Sequence, residues 1–233
     1  MLYGWNDIVD FETDQLNPRK DSFWFGARAS KIQLKNLWKA IVAVQLICIP
    51  ILIYFTSYKI LLIILCFLGI NYLYNKPHNG LRSKPPLELI CQIGYLLIVP
   101  FSIIVNQTEN LSFAAYIYLF LFCVQSHLIG EVMDVEPDKK ANRKTTATQI
   151  GIFKTKIIII FVVSLEVLLL LFYFDAFYFS IVLIVGLLWL FLDLFYINKT
   201  KTYSLKEMKF FALGSNIMVF VTIVYVWYSG CLV

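Results

Sequence analysis

The sequence predicts an all-α, polytopic membrane helix bundle, and three observations carry that prediction. Of 233 residues, 60% are hydrophobic and 15% charged, with a mean hydropathy of +0.74, outside the range of soluble globular domains. The apolar residues gather into seven continuous runs instead of short alternating stretches, so helices that satisfy their own backbone groups are expected to cross the lipid, not barrel strands. If those runs alternate in direction, nineteen of the twenty Lys and Arg residues fall on one side, the asymmetry that marks cytoplasmic loops.

The elements follow in order. The first thirty-five residues are polar and charged and lack the apolar core of a signal peptide, so insertion is expected to rely on internal spans. The first run covers 38–55, and only the Thr56-Ser57-Tyr58 break separates it from the second, 59–75, which reads as a tight helical hairpin. The remaining runs are 87–105, 111–130, 157–174, 177–197 and 210–228, each close to the roughly 20 helical residues that a hydrocarbon core requires. With the N-terminus cytoplasmic, Lys59 alone lies outside; a missed span would scramble this parity. Residues 1–233 therefore read as one integral, multi-pass domain of the cell (inner) membrane, with its basic loops cytoplasmic. The net charge of +5 is accounted for as the insertion signal and calls for no nucleic-acid partner. Cys48, Cys66, Cys91, Cys123 and Cys231 show no C-x-x-C spacing, so they are read as small core residues, neither a disulfide framework nor a thiolate site.

Chemistry concentrates in two acidic clusters. In Asn6-Asp7-Ile8-Val9-Asp10-Phe11-Glu12-Thr13-Asp14, the residues Asp7, Asp10 and Asp14 stand at i, i+3 and i+7, which on a helix places three carboxylates on one face. Glu131, Asp134 and Asp138 repeat that spacing directly after the fourth run. A single such pattern is usually a solvated helix face. Two matched patterns at span ends on one side point further, because acids beside a bilayer core are costly and tend to be functional. Clustered carboxylates repel unless they share a cation, and hard oxygen ligands suit Mg²⁺ bound jointly with substrate phosphates. Arg19 and Lys20 follow the first cluster, and Lys139, Lys140, Arg143 and Lys144 the second, supplying cations for non-bridging phosphate oxygens. His127 shares a helix face with Glu131, Asp134 and Asp138, so His127 and Glu131 are candidates to line an acceptor cavity, or to be satisfied between helices. Glu88 and Asp193 lie near cytoplasmic span ends and read as interfacial, while Glu166, Asn71 and Asn216 are polar groups in or near spans.

The ordered pair N-D-x-x-D-x-x-x-D and D-x-x-x-D, carried by Asn6, Asp7, Asp10 and Asp14 and then by Asp134 and Asp138, resembles the signature of the UbiA superfamily of intramembrane prenyltransferases. The stretch from Lys139 to Thr148 with Gly151 resembles that family's basic, Thr-containing loop. Tyr74, Pro77 and Arg82 match a further Tyr-x-x-Pro-Pro-x-Arg-x-Lys stretch, in which Gly80 replaces the first basic residue and Lys84 stands nearby as a substitute. The family fold has nine helices with the first motif at the cytoplasmic end of the second. Here the motif begins five residues after Met1, so the expectation is that one helix and most of another are missing, through a misplaced start codon or a truncation. Asn17-Pro18-Arg19-Lys20, Asp134-Val135-Glu136-Pro137-Asp138 and Thr145-Thr146-Ala147 look more like the carotenoid-elongase branch than the 4-hydroxybenzoate or haem branches.

The resemblance implies transfer of a prenyl group from a polyprenyl diphosphate to a small hydrophobic or aromatic acceptor within membrane lipid. Mg²⁺ would be held by Asp7, Asp10, Asp14, Asp134 and Asp138, and the diphosphate by Asn6, Arg19, Lys20, Tyr74, Arg82, Lys84, Lys139, Lys140, Arg143 and Lys144. Two competing readings are a divalent-cation transporter or channel, which would place acids at the midplane or on both sides, and a catalytically inactive truncated scaffold.

Overall fold

A computed structural model describes residues 2–76 and 80–230; Pro77 and Cys231 lie outside the described residues. The chain is all-α, and the described residues pair as β-structure only in an isolated bridge between Ser22 and Gly26. It divides into two compact units, Met1–Asn110 with Lys140–Lys144, and Leu111–Lys139 with Thr145–Val233.

In the first unit, α1 (Leu2–Val9) and α2 (Phe11–Leu16) precede the long α3 (Lys31–Phe55) and the shorter α4 (Ile60–Asn75). The α3 helix begins seven residues before the first apolar run, because Ser30 caps it: its hydroxyl accepts the Gln33 N–H while the Gln33 side chain accepts the Ser30 N–H. Such reciprocal capping satisfies two orphan donors, so the turns bearing Lys31, Lys35 and Lys39 are helical although too polar to count as span. The break at Thr56-Ser57-Tyr58 is observed, with Ile60 opening α4. A 3-10 turn (Leu81–Ser83) leads to α5 (Leu87–Ile90), a seven-residue 3-10 segment (Cys91–Leu97) and α6 (Ile98–Asn106).

In the second unit, α7 (Phe113–Lys140) runs ten residues beyond the fourth apolar run and carries the whole second acidic cluster. The short α8 (Thr146–Ile150) and the long α9 (Ile152–Phe172) meet at Gly151, whose φ of +85° is a conformation that favours glycine. Then come α10 (Phe177–Leu192), a π-helical turn (Asp193–Ile197) and α11 (Leu205–Ser229). Tyr118, Leu170, Ala176 and Phe179 form a core within this unit.

By length and composition, six helical segments can cross a membrane, and the 16-residue α4 is a shorter apolar seventh. At about 1.5 Å per residue, α4 spans about 24 Å, less than a typical hydrocarbon core. The apolar windows of α3 and α11 bury none of their residues inside the protein, whereas α9 buries half of its window. Large exposed side chains such as Leu46, Leu62, Phe161 and Phe220 need lipid rather than water as solvent, so this is a multi-pass membrane protein. Cys48 and Cys66 are exposed on such surfaces, a correction to their reading as core residues, and the four described cysteines are free.

Candidate functional site

The first acidic cluster corrects the expectation of one continuous helix. Asp10, at φ −85° and ψ 6°, separates α1 from α2, although the hydrogen bonds from Asp10 N–H to the Asn6 carbonyl and from Asp14 N–H to the Asp10 carbonyl, both 2.8 Å, carry helical pairing across the bend. The bend has a partner. Arg82 donates to the Asp10 carboxylate and, through its other terminal nitrogen, to the Val9 carbonyl at 3.1 Å. Arg143 donates to the same Asp10 oxygen at 3.2 Å.

Two guanidinium groups, 72 and 133 positions away in sequence, therefore converge on a carboxylate that is only 7% exposed. A solvated helix end does not look like this. Asp14 pairs with Lys20 at 2.9 Å, and Arg28 braces the same turn by donating to the carbonyls of Asp14 and Asn17. Burial pushes the Asp14 carboxyl above its usual value; Lys20 opposes that, while Asp10 and Asp7 add to it. Burial likewise lowers the Arg82 guanidinium from its ordinary value, with Asp10 working against it. Tyr74, at the end of α4, lies within electrostatic reach of Arg143, Asp10 and Arg82.

Local backbone chemistry explains why these residues arrive together. A Cβ on Gly80 would press on the Tyr74 carbonyl oxygen and stand 2.8 Å from that of Lys76, so a side chain at this position would collide with backbone. A basic side chain at position 80 would meet the same two carbonyls. Beyond α7, Asn142 takes φ +55°, a left-handed turn that asparagine tolerates better than most residues, immediately before Arg143.

In the second unit, Glu131 and Asp138 are buried, at 6% and 2% exposure, and Asp134 is half-buried. Glu131 accepts the Ala147 N–H at 3.0 Å and lies 3.2 Å from His127 Nε2. It thus satisfies a donor in the first turn of α8, where Thr145 and Thr148 form a reciprocal cap. The Thr pair and Gly151 of the sequence are therefore a helix start and a helix break. Lys84, Lys139, Lys140 and Lys144 are exposed, and Asn6, Asp7 and Arg19 are half-buried.

Sequence reasoning missed one polar network. Lys156 and Asp193, each 1% exposed, pair at 2.5 Å. Tyr203 and Asn198 donate to the two Asp193 oxygens, and Lys156 also donates to the Lys199 carbonyl. Burial, with the bond to Asp193, holds the Tyr203 phenol above its usual range, so it remains a donor. Asp193, like Glu88 at 0% exposure, is enclosed in protein instead of facing the interface as expected. The only available signal was the polar spacing of Lys156, Asp193 and Asn198 around span ends, which positive-inside bias conceals.

Among the described residues, no three of His, Cys, Asp and Glu converge closely enough to hold a metal alone. The donor set nonetheless fits Mg²⁺, which commonly takes one or two carboxylates and completes its shell with water and phosphate oxygens. In the first unit Asp10 and Asp14 are the carboxylates that Arg82, Arg143 and Lys20 contact, and the second unit carries Asp134 and Asp138.

Fold and side chains together define a multi-pass α-helical membrane protein in which the buried Asp10 carboxylate is gripped by two arginines distant in sequence. The chain belongs to the UbiA prenyltransferase family, whose sequence model matches residues 1–228. It is similar to the lycopene elongase/hydratase of Corynebacterium glutamicum, 24% identical over 153 residues, covering 64% of this chain and 53% of that one. The lycopene elongase/hydratase of Haloarcula japonica is 26% identical over 152 residues, covering 64% and 50%. The C(50) beta-cyclic carotenoids biosynthesis protein LbtBC of Dietzia sp. is 28% identical over 160 residues, covering 64% and 35%. The chain thus spans about half or less of the length of these curated relatives. No solved structure matches it.

Proposed function

We propose that this chain transfers a prenyl group from a polyprenyl diphosphate to a hydrophobic isoprenoid acceptor inside the cell membrane, with both aspartate motifs at the cytoplasmic side. The observation that supports this most is the double guanidinium grip on Asp10, an arrangement in which carboxylate and cations can separate to engage a metal and a diphosphate respectively. Membership of the family supports prenyl transfer, and the names of the relatives support a carotenoid-like acceptor.

In this reading, the allylic C–O bond breaks with its electron pair leaving on the diphosphate. Mg²⁺, when bound, offsets the charge that accumulates there. Arg82, Arg143 and Lys20 turn toward the non-bridging oxygens, where preorganised charge is most effective as the bond breaks. Asp7, Asp10, Asp14, Asp134 and Asp138 would hold the metal. The surrounding helices exclude water while an acceptor double bond donates its electron pair to the allylic carbon, and loss of a proton completes the transfer.

The test is to incubate membranes bearing the chain with tritiated geranylgeranyl diphosphate, lycopene and Mg²⁺, then extract labelled lipid. Labelled product that disappears with EDTA and in Asp10→Ala is the expected result. Equal product in wild type and Asp10→Ala would overturn the proposal.

A further inference from the structure

Within the first unit, α4 carries a second polar feature that the diphosphate chemistry does not use. Asn71 and Asn75, one helical turn apart, are 4% and 1% exposed. Asn75 Nδ2 donates to Asn71 Oδ1 at 2.7 Å, while Asn71 Nδ2 and Asn75 Oδ1 have no hydrogen-bond partner among the described residues. Exchanging the nitrogen and oxygen of both amides leaves the same remainder, one amide NH₂ and one carbonyl oxygen.

An unmet amide enclosed in protein costs more than one in water, because bulk solvent does not reach it. If the pair served only to stiffen α4, its hydrogen-bonding capacity would be closed on itself or met by a neighbouring helix. It is half closed instead. A hydroxyl, which donates and accepts through a single small atom, can supply what both remaining atoms lack. The pair stands in the last turns of α4, flanking Tyr74, whose electrostatic neighbours are Arg143, Asp10 and Arg82. A hydroxyl bound there would be held by neutral amides, on the turn of α4 that also carries Tyr74.

We propose that Asn71 and Asn75 form a binding site for a hydroxyl group, supplied either by a water molecule or by the alcohol end of an isoprenoid. The site does not depend on prenyl transfer taking place, since it is defined by binding alone.

The test uses the full chain in lipid nanodiscs, with tritiated geranylgeraniol as the probe, the C20 hydrocarbon phytane as competitor and empty nanodiscs as background. If the hydroxyl comes from the alcohol, wild type binds the probe above background, phytane does not compete, and Asn71→Leu/Asn75→Leu weakens binding by at least about tenfold, the scale of one lost hydrogen bond. If it comes from water, specific probe binding is absent, and an experimental map of the wild type shows a water within hydrogen-bonding distance of both amides. A wild type showing neither specific probe binding nor a bridging water would overturn the proposal, whether or not the leucine variant folds.

Discussion

Asp10 is the residue on which the first motif turns. Its spacing from Asp7 and Asp14 was legible, but not that Arg82 and Arg143, read from the sequence as diphosphate contacts, would meet the same carboxylate oxygen. Nothing local encodes that meeting: it depends on the chain returning after α4 and again after α7. Replacing Arg82 with alanine leaves Asp10 with one guanidinium, and we expect Mg²⁺-dependent diphosphate release to fall by about a hundredfold. A thermal melt should also register about 1–3 kcal/mol for the lost charged hydrogen bonds. Asp14 provides a pH signature. Its folded value is raised by burial, so the protonated form suits the fold, and the charged form carries a cost that grows as pH rises from the unfolded value through the folded one. The melting midpoint of Asp14→Asn relative to wild type should therefore increase as pH rises above the ordinary carboxylate range; a constant gap would remove the burial argument.

At the scale of elements, the apolar runs were legible as helical, six of the seven at spanning length, and their ends were not. Apolar runs report where lipid is, whereas helices end where caps are, which is why Ser30 starts α3 early and why α7 persists through the second motif to Lys140. The bend at Asp10 was also hidden, since an i, i+3, i+7 pattern assumes the unbroken helix that it is used to infer. Gly80 shows the reverse case: it reads as a defect in a basic motif, but the space beside the Tyr74 and Lys76 carbonyls leaves no room for a side chain. Gly80→Arg should consequently lower the melting midpoint and reduce activity instead of restoring a phosphate contact. Glu131→Gln keeps shape but removes the charge that faces the Ala147 N–H and His127, with an expected stability loss of about 1 kcal/mol. The Lys156–Asp193 pair is enclosed on all sides, so Lys156→Met strands a buried carboxylate and should cost about 3–5 kcal/mol by denaturant or thermal unfolding.

For the whole molecule, the all-α multi-pass class followed directly from composition and the continuity of the apolar runs, and membership of the UbiA family followed from two motifs in the right order. The acceptor was far less legible, because its binding surface would consist of apolar side chains whose identities are shared with every lipid-facing helix. The inferred topology has its own check: a cysteine introduced at Lys59 should react with a membrane-impermeant maleimide from outside intact cells, and one at Lys144 only after lysis. The proposed function depends most on the two aspartate motifs serving one metal–diphosphate complex, and residues that act as a unit show non-additive losses. The decisive measurement is Mg²⁺-dependent diphosphate release in Asp10→Ala, Asp134→Ala and the double variant. A shared complex predicts that each single change costs at least about a hundredfold and that the double variant is no worse than the weaker single one; losses that multiply, or an Asp134→Ala that turns over like wild type, would contradict it.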